Sequence, residues 1–150
     1  NILDKLCGMI QNHIDSAQKQ HNDDIAYNAM TLDMVKGNFD ASNEYTKSWK
    51  SDYAEALKND LIECATRNPP EVRDIKPVVV QVVADQVKEK YGTLRFYYGG
   101  GDYYIEGLVS MAEEMSSVTC ETCGKPGKLR GGTWLYTACD EHTRDYDKTE

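Results

Sequence analysis

At 150 residues, 40% of them hydrophobic and 28% charged, the chain reads as one globular domain of ordinary size and not as a disordered segment. Its formal net charge of −8 disfavours a general nucleic-acid binder, since phosphate neutralisation needs a field of the other sign. No run of about 18 apolar residues is present, which excludes a membrane-spanning helix, and residues 1–6 show no basic region leading into an apolar stretch, so no signal peptide is expected. Asn1 is not a start methionine, and further sequence before it is expected.

The first half predicts helices. Ile2, Leu3, Leu6, Ile10, Ile14 and Ala17 recur at three- and four-residue spacing and give one amphipathic helix. Asn22, Asp23 and Asp24 offer caps for a second, running through Ala26, Met30 and Met34 until Gly37. A third is predicted over residues 42–66, with Tyr45, Trp49, Tyr53, Ala56, Leu57 and Cys64 near one stripe that reads as core or subunit contact. Arg67-Asn68-Pro69-Pro70 ends it, because proline disfavours helical geometry in the residue before it. His13 and His21 fall in or beside the polar half of the first helix, where a solvated face is the default.

Beyond Pro70 the character changes. Residues 77–83 are β-branched and apolar, hence a strand, and residues 93–98 predict a second strand paired to the first through a hairpin near Tyr91-Gly92. Alternation places Leu94, Phe96 and Tyr98 on one face and Thr93, Arg95 and Tyr97 on the other. Gly99-Gly100-Gly101 breaks the strand, and Asp102 is a suitable N-cap for a helix whose buried stripe is Ile105, Leu108, Val109, Ala112 and Met115. Three glycines before a helix start could cradle an anion, but the pattern is no nucleotide-binding fingerprint, Asp102 would occupy the first-turn amides itself, and a plain turn is the favoured reading.

Cys120, Cys123, Cys139 and His142 follow the spacing C-x2-C-x15-C-x2-H. Each close pair can aim two ligands at one ion from a single turn, and the fifteen residues between suffice for a short hairpin that completes a tetrahedral Zn2+ site. Gly124 supplies the positive-φ freedom that such a knuckle requires. Four protein ligands leave no position for water, so the zinc is expected to be structural. Unrelated cysteines, or a disulfide with a bystander histidine, are the alternative. Cys7 and Cys64 read as buried small hydrophobes and, beside a thiolate site, favour a reducing cytoplasm; a Cys7–Cys64 disulfide is the other possibility.

Charge is distributed unevenly. Residues 1–75 carry 8 basic and 13 acidic side chains, whereas Lys76, Lys88, Lys90 and Arg95 outnumber Asp85, Glu89 and Asp102, and Lys125, Lys128 and Arg130 outnumber Glu121. Should these two later segments adjoin, they would form a local basic face suited to a small anion. Lys88, Lys90, Tyr91, Arg95 and Tyr97 are the candidate ligand-binding residues, with Arg130 and Trp134 as a second wall: cations match phosphate oxygens, and aromatic rings let bases stack. Composition alone reads the same residues equally well as a solvent-facing strand whose lysines discourage edge pairing. No nucleophile, base pair of carboxylates or catalytic histidine is identifiable, so no enzyme is expected.

The run at 86–98, Gly-Gly-Gly-Asp at 99–102, Met111-Ala112-Glu113, the knuckle at 120–127, Gly132-Thr133-Trp134 and Cys139-Asp140-Glu141-His142 together resemble a widespread family of small phage proteins. The resemblance covers residues 77–142 and is to the phage anti-CBASS sponge family. It implies a homo-oligomer, a tetramer, in the cytoplasm of the infected bacterial host, sequestering cyclic dinucleotide or trinucleotide signals without turnover as an immune-evasion device. Residues 1–75 match no part of that pattern. A zinc-ribbon-like regulatory protein contacting a host protein or nucleic acid is the alternative, and a hydrolase acting on the signal is a third class. The expected fold is α+β: a helical region over 1–75, then a β-hairpin, a helix and a zinc-knuckle module over 76–150, in one compact domain.

Overall fold

A computed structural model of the chain describes residues 1–35, 63, 67 and 71–145. They contain two long helices and two small antiparallel hairpins, an α+β arrangement, in the order α1 (Ile2–Val35), β1 (Val83–Lys90), β2 (Thr93–Gly99), α2 (Tyr103–Ser116), β3 (Lys128–Arg130), β4 (Tyr136–Ala138) and a 3-10 turn (Asp140–His142).

The first two predicted helices are one. α1 runs unbroken for 34 residues, with Asn22 and Asp24 engaged along the helix instead of capping a new one. Gln18 donates to Asn22 and Gln20 to Asp24, both at i,i+4, and no proline interrupts the segment. Apart from Glu63, the predicted helix over 42–66, Gly37, and the stripe that includes Cys64 lie outside the described residues. Glu63 and Arg67, at its edge, are helical and form an i,i+4 ion pair.

The first strand is displaced towards the C-terminus. Residues 77–82 form no ladder, and β1 begins at Val83. The apolar run is used differently: Val79 and Val82 pack on the core, and the Val80 carbonyl accepts the Gly101 N–H at 2.9 Å. The ladder falls on the polar stretch after it because β2 pairs there, an instance of partner choice overriding propensity. The register sets Lys88 opposite Arg95 and Lys90 opposite Thr93, with a bulge between Ala84 and Gln86. Tyr91 and Gly92 close the hairpin with φ of 56° and 77°, the two positive values of a type I′ turn.

The chain divides into two units, one of residues 1–15 and 79–150, the other of residues 16–78. In the first, Leu6, Ile10 and Ile14 of α1, Phe96 of β2, and Ile105, Val109 and Ala112 of α2 form the core. Phe96 is buried while Tyr97 is exposed, as alternation requires. Met115 departs from its predicted stripe and stands half in solvent. β2's outward N–H groups are capped by α2: Leu94 donates to Ser116 Oγ at 2.8 Å and Phe96 to Glu113 Oε1 at 2.9 Å. The opposite edge, β1, is exposed along all eight residues and is defended against pairing by its bulge and by Asp85, Lys88 and Lys90.

In the second unit the irregular segment after residue 70 takes its backbone partners from α1. Asn28 holds both the N–H and the carbonyl of Arg73, His21 Nδ1 lies 2.7 Å from the Lys76 carbonyl, and Arg73 pairs with Asp24 at 3.1 Å while lying over the Tyr27 ring. These side chains do for the segment what a neighbouring strand would.

Candidate functional site

The four predicted metal ligands converge. One ligand atom from each of Cys120, Cys123, Cys139 and His142 lies within 4.8 Å of the others, and the set could hold a metal ion. Cys123 and Cys139 Sγ are 3.7 Å apart, and His142 Nδ1 is 3.8 Å from Cys120 Sγ and 3.2 Å from Cys139 Sγ. A tetrahedron of metal–thiolate bonds of about 2.3 Å has edges of about 3.8 Å, near the 3.7 Å and 3.8 Å separations, while the set as a whole spreads to within 4.8 Å. Local backbone makes the first pair: Gly124, at φ 74°, donates its N–H to the Cys120 carbonyl, and the Cys120 N–H closes on Lys125. The second pair brackets the 3-10 turn, Cys139 as its N-cap and His142 as its last residue, and the His142 N–H bonds to the Cys139 carbonyl.

The cluster acts in opposite directions on two of its thiols: at Cys123 the Lys125 N–H lowers the pKa, but burial and the Cys120 and Cys139 sulfurs outweigh it and raise it, whereas Cys120 is lowered. Burial raises the Cys120 thiol, but the N–H groups of Cys139, Cys123 and Thr122 outweigh it and bring the thiol down to about 6. Lys125 stands beside the cluster, ion-paired to Glu141 at 2.8 Å, and this bond together with the nearby cysteines raises its pKa. Cys7, expected to be buried, is exposed; Cys64 lies outside the described residues.

The hairpin brings the predicted ligand residues to one face. Cross-strand partners share a side, so Lys88, Lys90, Arg95 and Tyr97 stand opposite Leu94, Phe96 and Tyr98. Lys88 Nζ lies 5.1 Å from the Tyr97 ring centroid and Lys90 Nζ 5.3 Å from that of Tyr91, both within cation–π range. The two basic segments also adjoin. Thr137 Oγ1 donates to the Gly92 carbonyl at 2.6 Å, and a Cβ on Gly92 would come within 2.5 Å of Leu129 Cδ1, so the turn seats directly on the β3–β4 hairpin. Trp134 is exposed on that hairpin.

The two arginines are engaged within the fold. Arg95 donates to the Leu94 carbonyl at 2.7 Å and lies 3.6 Å from Glu113; Arg130 bonds the Ala138 carbonyl and Asp140. Lys128 lies 4.0 Å from the same Asp140, whose carboxyl is held below its ordinary range by Arg130 and Lys128. Among the described residues Lys88 and Lys90 carry no carboxylate partner: Lys88 bonds the neutral Gln86 amide, and Lys90 makes no ion pair.

No family model, curated protein or solved structure matches the chain.

Sequence reasoning missed the partnership of His13. Its Nε2 lies 2.9 Å from Asp102 Oδ2 and its ring stacks on Tyr104 at 4.3 Å, so it is a tether and not part of a solvated face. Asp102 also caps α2, accepting the Ile105 N–H at 3.1 Å. The only sequence signal was its place on α1 one turn from the Ile10 and Ile14 stripe. The hydrogen bond from His13 lowers the Asp102 pKa, burial opposes it, and the Ile105 N–H adds to the lowering. A depressed carboxylate stabilises above its ordinary pKa near 4, and that stabilisation is lost as pH falls through its lower folded value. Asp102→Asn is therefore expected to lower the melting midpoint at neutral pH, with the gap to the parent protein closing below about pH 4. A gap independent of pH would show that the Asp102 charge contributes nothing.

Proposed function

We propose that this chain is a phage immune-evasion protein that captures a cyclic oligonucleotide second messenger, a cyclic dinucleotide or trinucleotide, and releases it intact. In this reading it assembles as a homo-oligomer, so that neighbouring copies deepen a site which one small chain leaves shallow. The Cys3His cluster holds one structural Zn2+, in keeping with a soft-donor set that leaves no open position. The observation that carries the reading is the basic and aromatic face of β1–β2 seated against the β3–β4 hairpin.

Within that face the roles divide by what each side chain already holds. Lys88 and Lys90, lacking carboxylate partners, contact phosphate, while Tyr91, Tyr97 and Trp134 offer rings for base stacking. Arg95 and Arg130 reach phosphate only by exchanging Glu113 and Asp140, so they chiefly brace the face. Lys88→Ala or Lys90→Ala is expected to weaken capture by about 1.5–3 kcal/mol, as for a lost hydrogen bond to a charged group. Tyr97→Ala is expected to weaken it by about 1–3 kcal/mol.

Isothermal calorimetry against a panel of cyclic dinucleotides and trinucleotides tests the reading, followed by heat release and chromatography of the recovered nucleotide. Tight binding with unchanged nucleotide is expected. Absence of binding across the panel would remove the reading, and recovery of a cleaved product would make the protein a hydrolase.

A further inference from the structure

We propose that Cys123 and Cys139 form a reversible redox switch: a peroxide-class oxidant joins their sulfurs as a disulfide and takes two of the four donors out of the Cys3His cluster. The inference rests on the zinc reading, because the ligands must be held as thiolates, and it is independent of the nucleotide reading.

The three sulfurs differ in access. Cys120 is 2% exposed and pinned at both ends of its residue: its N–H bonds the Lys125 carbonyl at 2.8 Å, and its carbonyl accepts the Gly124 N–H at 2.9 Å. Cys123 is exposed and Cys139 half-buried. An oxidant arriving from solvent therefore meets Cys123 first. The backbone beside Cys123 also has room to shift. A Cβ placed on Gly124 would meet no atom within 4 Å, whereas one on Gly127 would come within 2.8 Å of the Cys120 nitrogen.

A resolving sulfur is already in place. Cys139 Sγ lies 3.7 Å from Cys123 Sγ, brought there from 16 residues away. A disulfide bond is about 2.05 Å long, so the two sulfurs approach by about 1.7 Å, a movement the open turn at Cys123 can share. Cys120, buried and bonded through its backbone, is less able to follow.

The chemistry balances with peroxide as the single co-reactant. The Cys123 thiolate attacks one peroxide oxygen, the O–O bond breaks, hydroxide leaves and takes a proton from solvent, and the sulfur becomes a sulfenic acid. The Cys139 thiolate then attacks that sulfur, the S–O bond breaks, and a second hydroxide leaves as water. Two electrons pass from the pair of sulfurs to the peroxide. A coordinating thiol is held as the thiolate whatever its free pKa, so the raised pKa of Cys123 does not oppose the first step. Capture by Cys139 also spares Cys123 the irreversible acids further up the oxidation ladder. Cys120 and His142 alone then face the ion, two donors where Zn2+ takes four, and a thiol reductant reopens the bond and restores the set.

Fresh full-length protein, its metal content fixed by elemental analysis, is titrated with hydrogen peroxide to test this. Metal release is followed with a chromogenic chelator, and disulfides are mapped by tandem mass spectrometry of a non-reduced digest. Expected are a Cys123–Cys139 disulfide, about one ion released per disulfide, a lower melting midpoint, and recovery of metal and midpoint with dithiothreitol and Zn2+. Release without a disulfide, a different disulfide within the cluster, reaction confined to the exposed Cys7, or oxidised protein that keeps its ion would overturn the proposal and leave the zinc reading standing. A midpoint that dithiothreitol and Zn2+ do not restore would do the same. Protein that is metal-free when fresh would overturn both.

Discussion

Cys120→Ser should dismantle the C-terminal module, not merely lower an activity. Among the described residues the C-terminal module's own apolar core is Cys120, Tyr136 and Ala138, with Cys139 against it, a small base for strands of three residues. Metal binding in small structural modules is worth on the order of 10–16 kcal/mol, comparable with the whole stability of a typical domain at about 5–15 kcal/mol. With an ion held as proposed, loss of one thiolate at a position 2% exposed would therefore remove most of what orders residues 120–142. The expected result is one metal ion per parent chain by elemental analysis, a large fall in melting midpoint on chelation, and the same fall in Cys120→Ser without chelator. Parent protein that is metal-free when fresh and melts unchanged in chelator would refute it.

Phe96→Ala should be the most damaging change in the first unit's core. Phe96 is 6% exposed and lies where α1, β2 and α2 meet, with Tyr98 5.8 Å away between ring centroids. Removing a buried phenyl ring costs about 3–5 kcal/mol through lost transfer and the cavity left behind. For a chain of this size that is a fall in melting midpoint of roughly 10 °C or more. Its N–H bond to Glu113 survives the substitution, so the loss reports packing alone. Urea denaturation should show a lower midpoint with little change in slope. Tyr97→Ala, one residue on and facing solvent, should leave stability nearly unchanged, and equal losses at the two positions would contradict the alternation.

What the sequence disclosed best was what close spacing controls. The two close pairs of candidate metal ligands, the positive φ at Gly124, the Asp102 cap and the alternation around Phe96 each depend on neighbours within a few residues, and each has its expected local form. Where the deciding partner is distant, the reading failed. Asp24 looks like a cap until Arg73, 49 residues on, is seen to pair with it. Residues 77–83 look like a strand until β2 is seen to pair with the polar residues that follow. Arg95 and Arg130 look like free cations until Glu113 and Asp140 are placed beside them. His13 looks solvated until Asp102 arrives from 89 residues away.

The bond from Thr137 to the Gly92 carbonyl ties the tip of one hairpin to the strand that carries the metal module. Because a bond between two segments favours the ordered form of each, ordering becomes a shared equilibrium: opening of the knuckle frees the tip, and fraying of the tip loosens the knuckle. The coupling is reciprocal by thermodynamic necessity. In the proposed reading, in which Cys120 and its companions hold an ion, its occupancy would therefore set how long Tyr91 and Gly92 keep their positive-φ turn, and amide protons at the tip should exchange with solvent at a rate set by an ion to which they are not bound.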